Sequence, residues 1–331
     1  MTAVDHRSVL NLPARDIPVP TSVSPEAQAY LAMGPMTGPE YPALDDVEGR
    51  RKMIAATDEM VLEMFTESGL MAPDGFDVEE LSVGGVTIYV VTPSDLDPDD
   101  RRVYLDPHGG AFIVGGGEVC RGTGIMTARK VGMRVWSVDY RMPPDDPYPA
   151  AVDDCLAAYR ALLQQHAPSE IVVGGVSAGG NLTAALILRA RDEGLPLPAA
   201  AIMLTPVVDL TQSGDTFQTN LGIDPVITRS DPGALLLYAG GHDLEEPYLS
   251  PIFGDLSKGF PPTLLASGTR DVLLSDTVRM HRALRAAGVS AELHVLEAAP
   301  HGFFRGATPE DRDLDREVRR FIQVHCPALA R

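Results

Sequence analysis

The segment Gly175-Val176-Ser177-Ala178-Gly179 joins an apolar run, Ile171-Val172-Val173, to an amphipathic stretch that opens at Asn181 and ends at Arg191. A strand that becomes a helix within five residues can only send that helix back across its own sheet, so the next strand runs parallel to the first. The turn also holds the serine in a strained backbone conformation with its hydroxyl in the open. Glycines two residues before and after it relieve the crowding.

The same rhythm extends in both directions. Residues 102–105, 135–138, 171–174, 199–204, 263–267 and 292–296 read as short apolar strands. Residues 149–165, 178–191, 276–287 and 309–324 read as helices between or after them. Strands alternating with helices predict an α/β fold with a mostly parallel sheet flanked by helices on both faces. Residues 77–92 alternate around Gly84-Gly85, the pattern of a β-hairpin, and supply an antiparallel edge. Upstream, residues 45–70 place Val47, Ile54, Val61 and Phe65 on one helical face with Met53, Met60 and Met64 beside it. Residues 1–24 are rich in proline and predict an arm on the surface. From 207 to 260 the chain runs for roughly fifty residues without a core strand, the length of a lid and not of a connection. The expected organisation is an arm over 1–24, part of a helical cap over 25–70, core over 71–206, a cap insertion over 207–260 and core again over 261–331.

Charge narrows the partners. A net charge of -19 leaves no concentrated basic face for nucleic acid and disfavours docking to anionic lipid. Three cysteines, Cys120, Cys155 and Cys326, cannot build a disulfide framework and predict reduced thiols. No apolar run reaches the length of a membrane span, and the first twenty residues lack the apolar centre of a signal peptide. These features predict a soluble cytoplasmic protein.

Ser177 needs a base, and the base needs an orienting acid. Among eight histidines, His301 follows the strand at 292–296 in a loop of small residues, Ala298-Ala299-Pro300-His301-Gly302, where ligands bind in open α/β sheets. His281, His294 and His325 fall inside helix or strand patterns. Asp271 follows the strand at 263–267, and its neighbour Asp276 reads as a helix N-cap or first-turn residue. The chain order Ser177, Asp271, His301 is that of α/β-hydrolases. The loop His108-Gly109-Gly110-Ala111-Phe112, also at a strand end, has the small residues that let backbone N–H groups approach a developing oxyanion. No metal-ligand cluster of the H-E-x-x-H type occurs, and neither metal nor cofactor is expected.

Five pieces together resemble the hormone-sensitive-lipase-like family of bacterial carboxylesterases: HGGAF at 108–112, DYRMPPDDPYPAAVDD at 139–154, GVSAGGNL at 175–182, GTRDVLLSD at 268–276 and HGF at 301–303. The resemblance implies an eight-stranded α/β-hydrolase sheet, a helical cap, hydrolysis of short acyl esters and a small-molecule ester as the partner. It implies oxyanion donors at Gly110, Ala111 and Ala178, beside Gly109 in the same loop, a supporting role for the segment at 139–154, and homodimers through the last strand near 292–296. Lactonase, amidase or dehydratase chemistry would use the same triad. The plant gibberellin receptors resemble the family but lack the catalytic histidine, which is present here as His301. Two positions depart from the pattern: Ala111 stands where the third glycine is usual, which counts against bulky tertiary-alcohol esters, and Val176 replaces an acidic residue or threonine.

Overall fold

Every residue of the strand Val103–Pro107 is buried, and so is every residue of Ala200–Leu204 and Thr263–Gly268. Such strands are apolar on both sides because helices cover both faces of the sheet. The computed structural model of the protein describes residues 10, 13–35, 41–228, 232–306 and 308–328. Residues 1–9, 11 and 12 of the expected arm lie outside these described residues.

The eight strands are β1 (Phe76–Val83), β2 (Val86–Pro93), β3 (Val103–Pro107), β4 (Arg134–Asp139), β5 (Ile171–Val176), β6 (Ala200–Leu204), β7 (Thr263–Gly268) and β8 (Ala291–Leu296). They form one sheet in the order β1-β2-β4-β3-β5-β6-β7-β8. The hairpin β1–β2 pairs antiparallel, as does β2 with β4, and all later pairs are parallel. The expected fold class and antiparallel edge are both present.

Side chains alternate across the sheet with the period of two that a strand imposes. Tyr104, Val172, Ile202 and Leu264 face a core shared with α3 (Glu118–Val131) and α9 (Pro309–His325). Leu105 and Val173 face α4 (Ala150–Leu162) and α5 (Ala178–Asp192), while Met203 and Leu265 face α5 and α8 (Leu274–Ala286). The sequence pattern misses α3. Its Gly122 and Gly124 blur the amphipathic stripe, and both are there for close approach: a Cβ on Gly122 would lie 2.2 Å from Met71 Sδ, and one on Gly124 2.8 Å from Ser137 Cβ.

Two outer pieces complete the molecule. The helix α1 (Pro25–Ala32) buries Ala27 and Leu31, and Tyr30 packs edge-on against Phe304 at 5.8 Å. Ser24 caps this helix and donates from its backbone and hydroxyl to Glu310, at 2.7 and 2.8 Å. The end of the expected arm is therefore pinned to the core. The helix α2 (Val47–Glu67) forms as expected, but its apolar face is not the buried stripe that the pattern promised. Ile54, Val61 and Phe65 are only half-buried, Val47 and Met60 are exposed, and the one fully buried side chain is Arg50. Arg50 donates from Nε and Nη2 to the carbonyls of Ala43 and Pro42, which satisfies two of the three nitrogens of its guanidinium. Between β6 and β7 the chain makes α6 (Thr216–Thr219) and α7 (Gly233–Ala239) and no strand among the described residues. Among those residues no helix is long and apolar enough to cross a membrane.

Candidate active site

Four loops at the carboxyl ends of β3, β5, β7 and β8 bring His108, Ser177, Asp271 and His301 to one edge of the sheet, where open α/β sheets bind ligands. Ser177 sits between β5 and α5 with φ 57° and ψ -117°, a conformation that a non-glycine residue holds only when its surroundings enforce it. Its N–H donates to the Leu204 carbonyl at 2.9 Å. A Cβ on Gly179 would stand 2.0 Å from the Pro107 carbonyl oxygen, so only glycine lets α5 begin against the end of β3.

His301 Nε2 lies 2.9 Å from Ser177 Oγ, and His301 Nδ1 lies 3.1 Å from Asp271 Oδ1. A carboxylate only accepts, so Nδ1 carries the hydrogen and Nε2 is left to accept from the serine. Asp271 is fully buried with both oxygens occupied: Oδ1 also accepts from Leu273 N at 2.8 Å, and Oδ2 from Ser267 Oγ at 2.6 Å. Burial alone would pull the His301 pKa down. The charge and hydrogen bond of Asp271, with the charge of Asp224, outweigh it and hold the imidazole above its usual value.

Asp276 stands in the first turn of α8, one of the two places expected for it, and not at the N-cap, which is Leu273. It is the third residue of α8, fully buried, and its Oδ2 accepts from Val208 N at 2.9 Å and Asp209 N at 3.1 Å. Burial, followed by the neighbouring Asp209 charge, pushes its pKa up to about 8. Its partner groups are sixty-odd residues away in sequence, so the local pattern of a capping acid concealed a tertiary anchor.

The loop after β3 runs beside the elbow. The N–H groups of Gly110 and Ala111 donate to no acceptor outside the helices and strands among the described residues, and Ala178 opens α5, where the first N–H groups of a helix have no partner within it. Gly109 serves by closeness: a Cβ there would stand 3.0 Å from the Val176 carbonyl. Ala111 and Phe112 both take positive φ, 51° and 66°. The loop is braced on three sides. Tyr140 stacks on His108 at 4.1 Å and donates its hydroxyl to the His108 carbonyl at 2.9 Å. Asp58 of α2 accepts from Gly115 N at 2.7 Å. Tyr238 of α7 stacks on Phe112 at 3.9 Å. The segment at 139–154 thus supports the loop from below, with Arg141 doubly bonded to Asp154. Val176 packs against the cluster that holds Ala298, Ala299 and Phe303, so apolar contact occupies the position before the serine.

One group among the described residues brings three potential metal ligands within 4.8 Å of one another: His108, Cys120 and Asp139. Its members already serve the fold. His108 Nδ1 meets the Gly109 carbonyl, Cys120 meets Ser137, and Asp139 accepts from Gly117 N. Burial pushes the His108 pKa down to about 4, which keeps that ring neutral. All three cysteines are buried and free.

Sequence reasoning missed two residues of the 207–260 excursion, Asn220 and Asp224. Asn220 Nδ2 donates to the Asp271 and Thr269 carbonyls at 2.9 and 3.2 Å. Asp224 accepts from Val272 N and His301 N at 3.0 and 3.2 Å. Both bind backbone only, which leaves no pairing of residue types for a pattern to detect.

Comparison with known proteins places the chain by fold and by enzyme class. A family model described as the alpha/beta hydrolase fold matches residues 104–305. An esterase, E25, superposes with a TM-score of 0.87 at 36% identity, covering 96% of this chain and 99% of that one. An esterase from the bacterial hormone-sensitive lipase family superposes with a TM-score of 0.76 at 32% identity, covering 92% and 99%. An acetyl-hydrolase of Streptomyces hygroscopicus is 35% identical over 210 residues, 63% of this chain and 69% of the relative.

Proposed function

The chain belongs to the hormone-sensitive-lipase-like carboxylesterases of the α/β-hydrolase fold and is a carboxylic ester hydrolase, and from that premise we propose that it cleaves short-chain acyl esters through a covalent intermediate on Ser177. The observation that carries the proposal is the pair of contacts on His301, to Ser177 Oγ at 2.9 Å and to Asp271 Oδ1 at 3.1 Å. His301 Nε2 takes the hydroxyl proton as Oγ attacks the ester carbonyl, and Asp271 stabilises the imidazolium and fixes its tautomer. The N–H groups of Gly110, Ala111 and Ala178 receive the oxyanion, at about 3–4 kcal/mol for each donor lost. His301 returns the proton to the leaving alcohol. It then takes one from water, whose oxygen attacks the acyl carbon and releases the acid, while His301 gives that proton back to the departing Ser177 Oγ.

A short acyl preference is supported by the likeness to an acetyl-hydrolase and by Phe112 and Tyr238, whose stacked rings fill the space beside the loop. Residues 25–70 and 207–260 act as the cap, a reading supported by Asp58 and Tyr238, which reach the loop from these two segments. The same reading extends to a homodimer through β8, one of the two edge strands of the sheet, where Val295 is exposed.

The test pairs a fluorophosphonate label with a series of p-nitrophenyl esters of increasing acyl length, with lactones and anilides alongside. The proposal requires the adduct on Ser177, loss of turnover in Ser177→Ala, and kcat/KM highest for acetate to butyrate. An adduct on Ser213 or Ser275, or full turnover by Ser177→Ala, would overturn it.

A further inference from the structure

The excursion between β6 and β7 does more than cover the site. Three of its side chains take hold of the turn that carries Asp271: Thr216 Oγ1 donates to the Val272 carbonyl at 2.7 Å, Asn220 Nδ2 to the Asp271 carbonyl, and Asp224 Oδ2 accepts from Val272 N. Asp224 alone also reaches the histidine loop, where the same Oδ2 accepts from His301 N at 3.2 Å. Its other oxygen accepts from Val226 N at 2.8 Å and Ile227 N at 3.3 Å, and its side chain is fully buried. One carboxylate thus ties the excursion, the acid turn and the histidine loop at a single point.

We propose that Asp224 is a positioning residue for acyl transfer, which sets the separation of His301 from Asp271 and holds a second negative charge against the imidazolium. The inference rests on the reading of Ser177, His301 and Asp271 as the working triad. The two loops are also joined to each other, by Arg270 N to the Ala299 carbonyl at 3.1 Å and by Ala298 N to Thr269 Oγ1 at 2.8 Å, but Asp224 is the tie that ends on the backbone of His301 itself, beside the 3.1 Å contact between Nδ1 and Oδ1. A shift of about 1 Å in such a contact is enough to lower a rate by roughly 100-fold.

The charge works in the same direction. Asp271, Asp224 and the Ser177 hydroxyl are the groups that face the His301 ring or its backbone. Beyond these, Tyr30 of α1 feels the Asp224 charge at its hydroxyl, and the Arg305 guanidinium lies 5.7 Å over the Tyr30 ring. Burial, joined by the charge of Asp271, raises the Asp224 pKa, while the nearby His301 opposes it. A base must be neutral to accept a proton, so activity falls as pH drops through the His301 pKa. Removing the Asp224 charge lowers that pKa and carries the acid limb of kcat/KM to lower pH.

The experiment compares Asp224→Asn and Asp224→Glu with the wild-type full chain by kcat, KM and the pH profile of kcat/KM, with circular dichroism and fluorophosphonate labelling as controls. Asp224→Asn should lower kcat by about 10- to 100-fold with little change in KM, and it should move the acid limb downward. Asp224→Glu keeps the charge but displaces the acceptor, so kcat should fall while the limb stays. If Asp224→Asn does not fold, Asp224→Glu decides: wild-type kcat in that variant overturns the proposal. A folded Asp224→Asn with wild-type kcat and an unmoved acid limb overturns it as well. Failure of wild-type Ser177 to take the label would instead refute the triad reading, so the two failures are distinguishable.

Discussion

Replacing Asp276 by asparagine should make the protein's stability less sensitive to rising pH between about 4 and 8 and leave its chemistry in place. The carboxyl is fully buried and accepts from the N–H groups of Val208 and Asp209. Arg279 does not neutralise it, because that guanidinium sits 2.6 Å from Asp209 and only 3.9 Å from Asp276. Asp209, held charged by Ser213, Thr211 and Arg279 against the opposing effect of burial, then repels a second charge beside it. Asp276 accordingly keeps its proton up to about pH 8, against a usual carboxylate value of 3.8.

The sign follows from proton linkage. Below pH 3.8 both folded and unfolded chains carry the proton. Between 3.8 and about 8 the folded chain keeps a proton that the unfolded chain has lost, so stability declines as pH rises through that window. Each pH unit costs about 1.4 kcal/mol, so the interval from about pH 5 to 8 accounts for roughly 4 kcal/mol. An amide is neutral in both states and removes this dependence. Equilibrium unfolding in urea should therefore show Asp276→Asn gaining on the wild type by a few kcal/mol as pH rises across that interval. Asp276→Ala should lose stability throughout, since it strands two buried N–H groups at about 1–3 kcal/mol each. A difference between wild type and Asp276→Asn that stays constant with pH would refute the assignment of a buried, protonated acid. The same variant should keep kcat within a few-fold, whereas Asp271→Asn should lose about 10⁴-fold.

The acid limb of kcat/KM should lie above the usual histidine pKa, because burial's downward pull on His301 is outweighed by Asp271 and Asp224; a limb below it, in a pH profile on p-nitrophenyl acetate, would contradict the geometry. Tyr140→Phe removes the hydroxyl that holds the His108 carbonyl and should cost about 1 kcal/mol in thermal unfolding. Ala111→Gly should raise kcat/KM on a tert-butyl ester relative to an ethyl ester, measured by alcohol release, because it deletes the methyl from the loop. A truncate beginning at Val23 should remain folded, and one beginning at Asp45 should not. The second cut removes the buried Ala27 and Leu31, the Ser24–Glu310 tie and both carbonyl partners of Arg50, and circular dichroism reads the difference.

The frame was legible because each of its elements carries its own signal. Apolar runs at β5, β6 and β7 are continuous because both sheet faces are covered, and the elbow at Ser177 announces itself through the glycines that a strained turn requires. Ser177, Asp271 and His301 were legible for the same reason, since each stands just past a strand end. The helix α3 was not, because Gly122 and Gly124 answer to Met71 and Ser137 and not to a helical stripe. The face of α2 misled in the opposite sense: it has the period of a buried helix, yet Arg50 is what it buries, on carbonyls that lie outside the helix.

The acids mark the boundary most clearly. Asp271, Asp276 and Asp224 are all fully buried, and a carboxylate in such a place must find hydrogen-bond donors. Asp271 finds an imidazole, and a histidine at a strand end can be sought in the sequence. Asp276 and Asp224 find backbone N–H groups, which every residue but proline possesses, so their partners have no type to search for. What both residues hold is the excursion after β6: Asp276 fixes its first residues, and Asp224 fixes its middle to the turns that carry the acid and the histidine. A segment read from sequence only as a covering lid is bonded at two points to the base of the site. The proposed role of Asp224 follows from this arrangement, since its carboxylate is where the segment meets the backbone of His301.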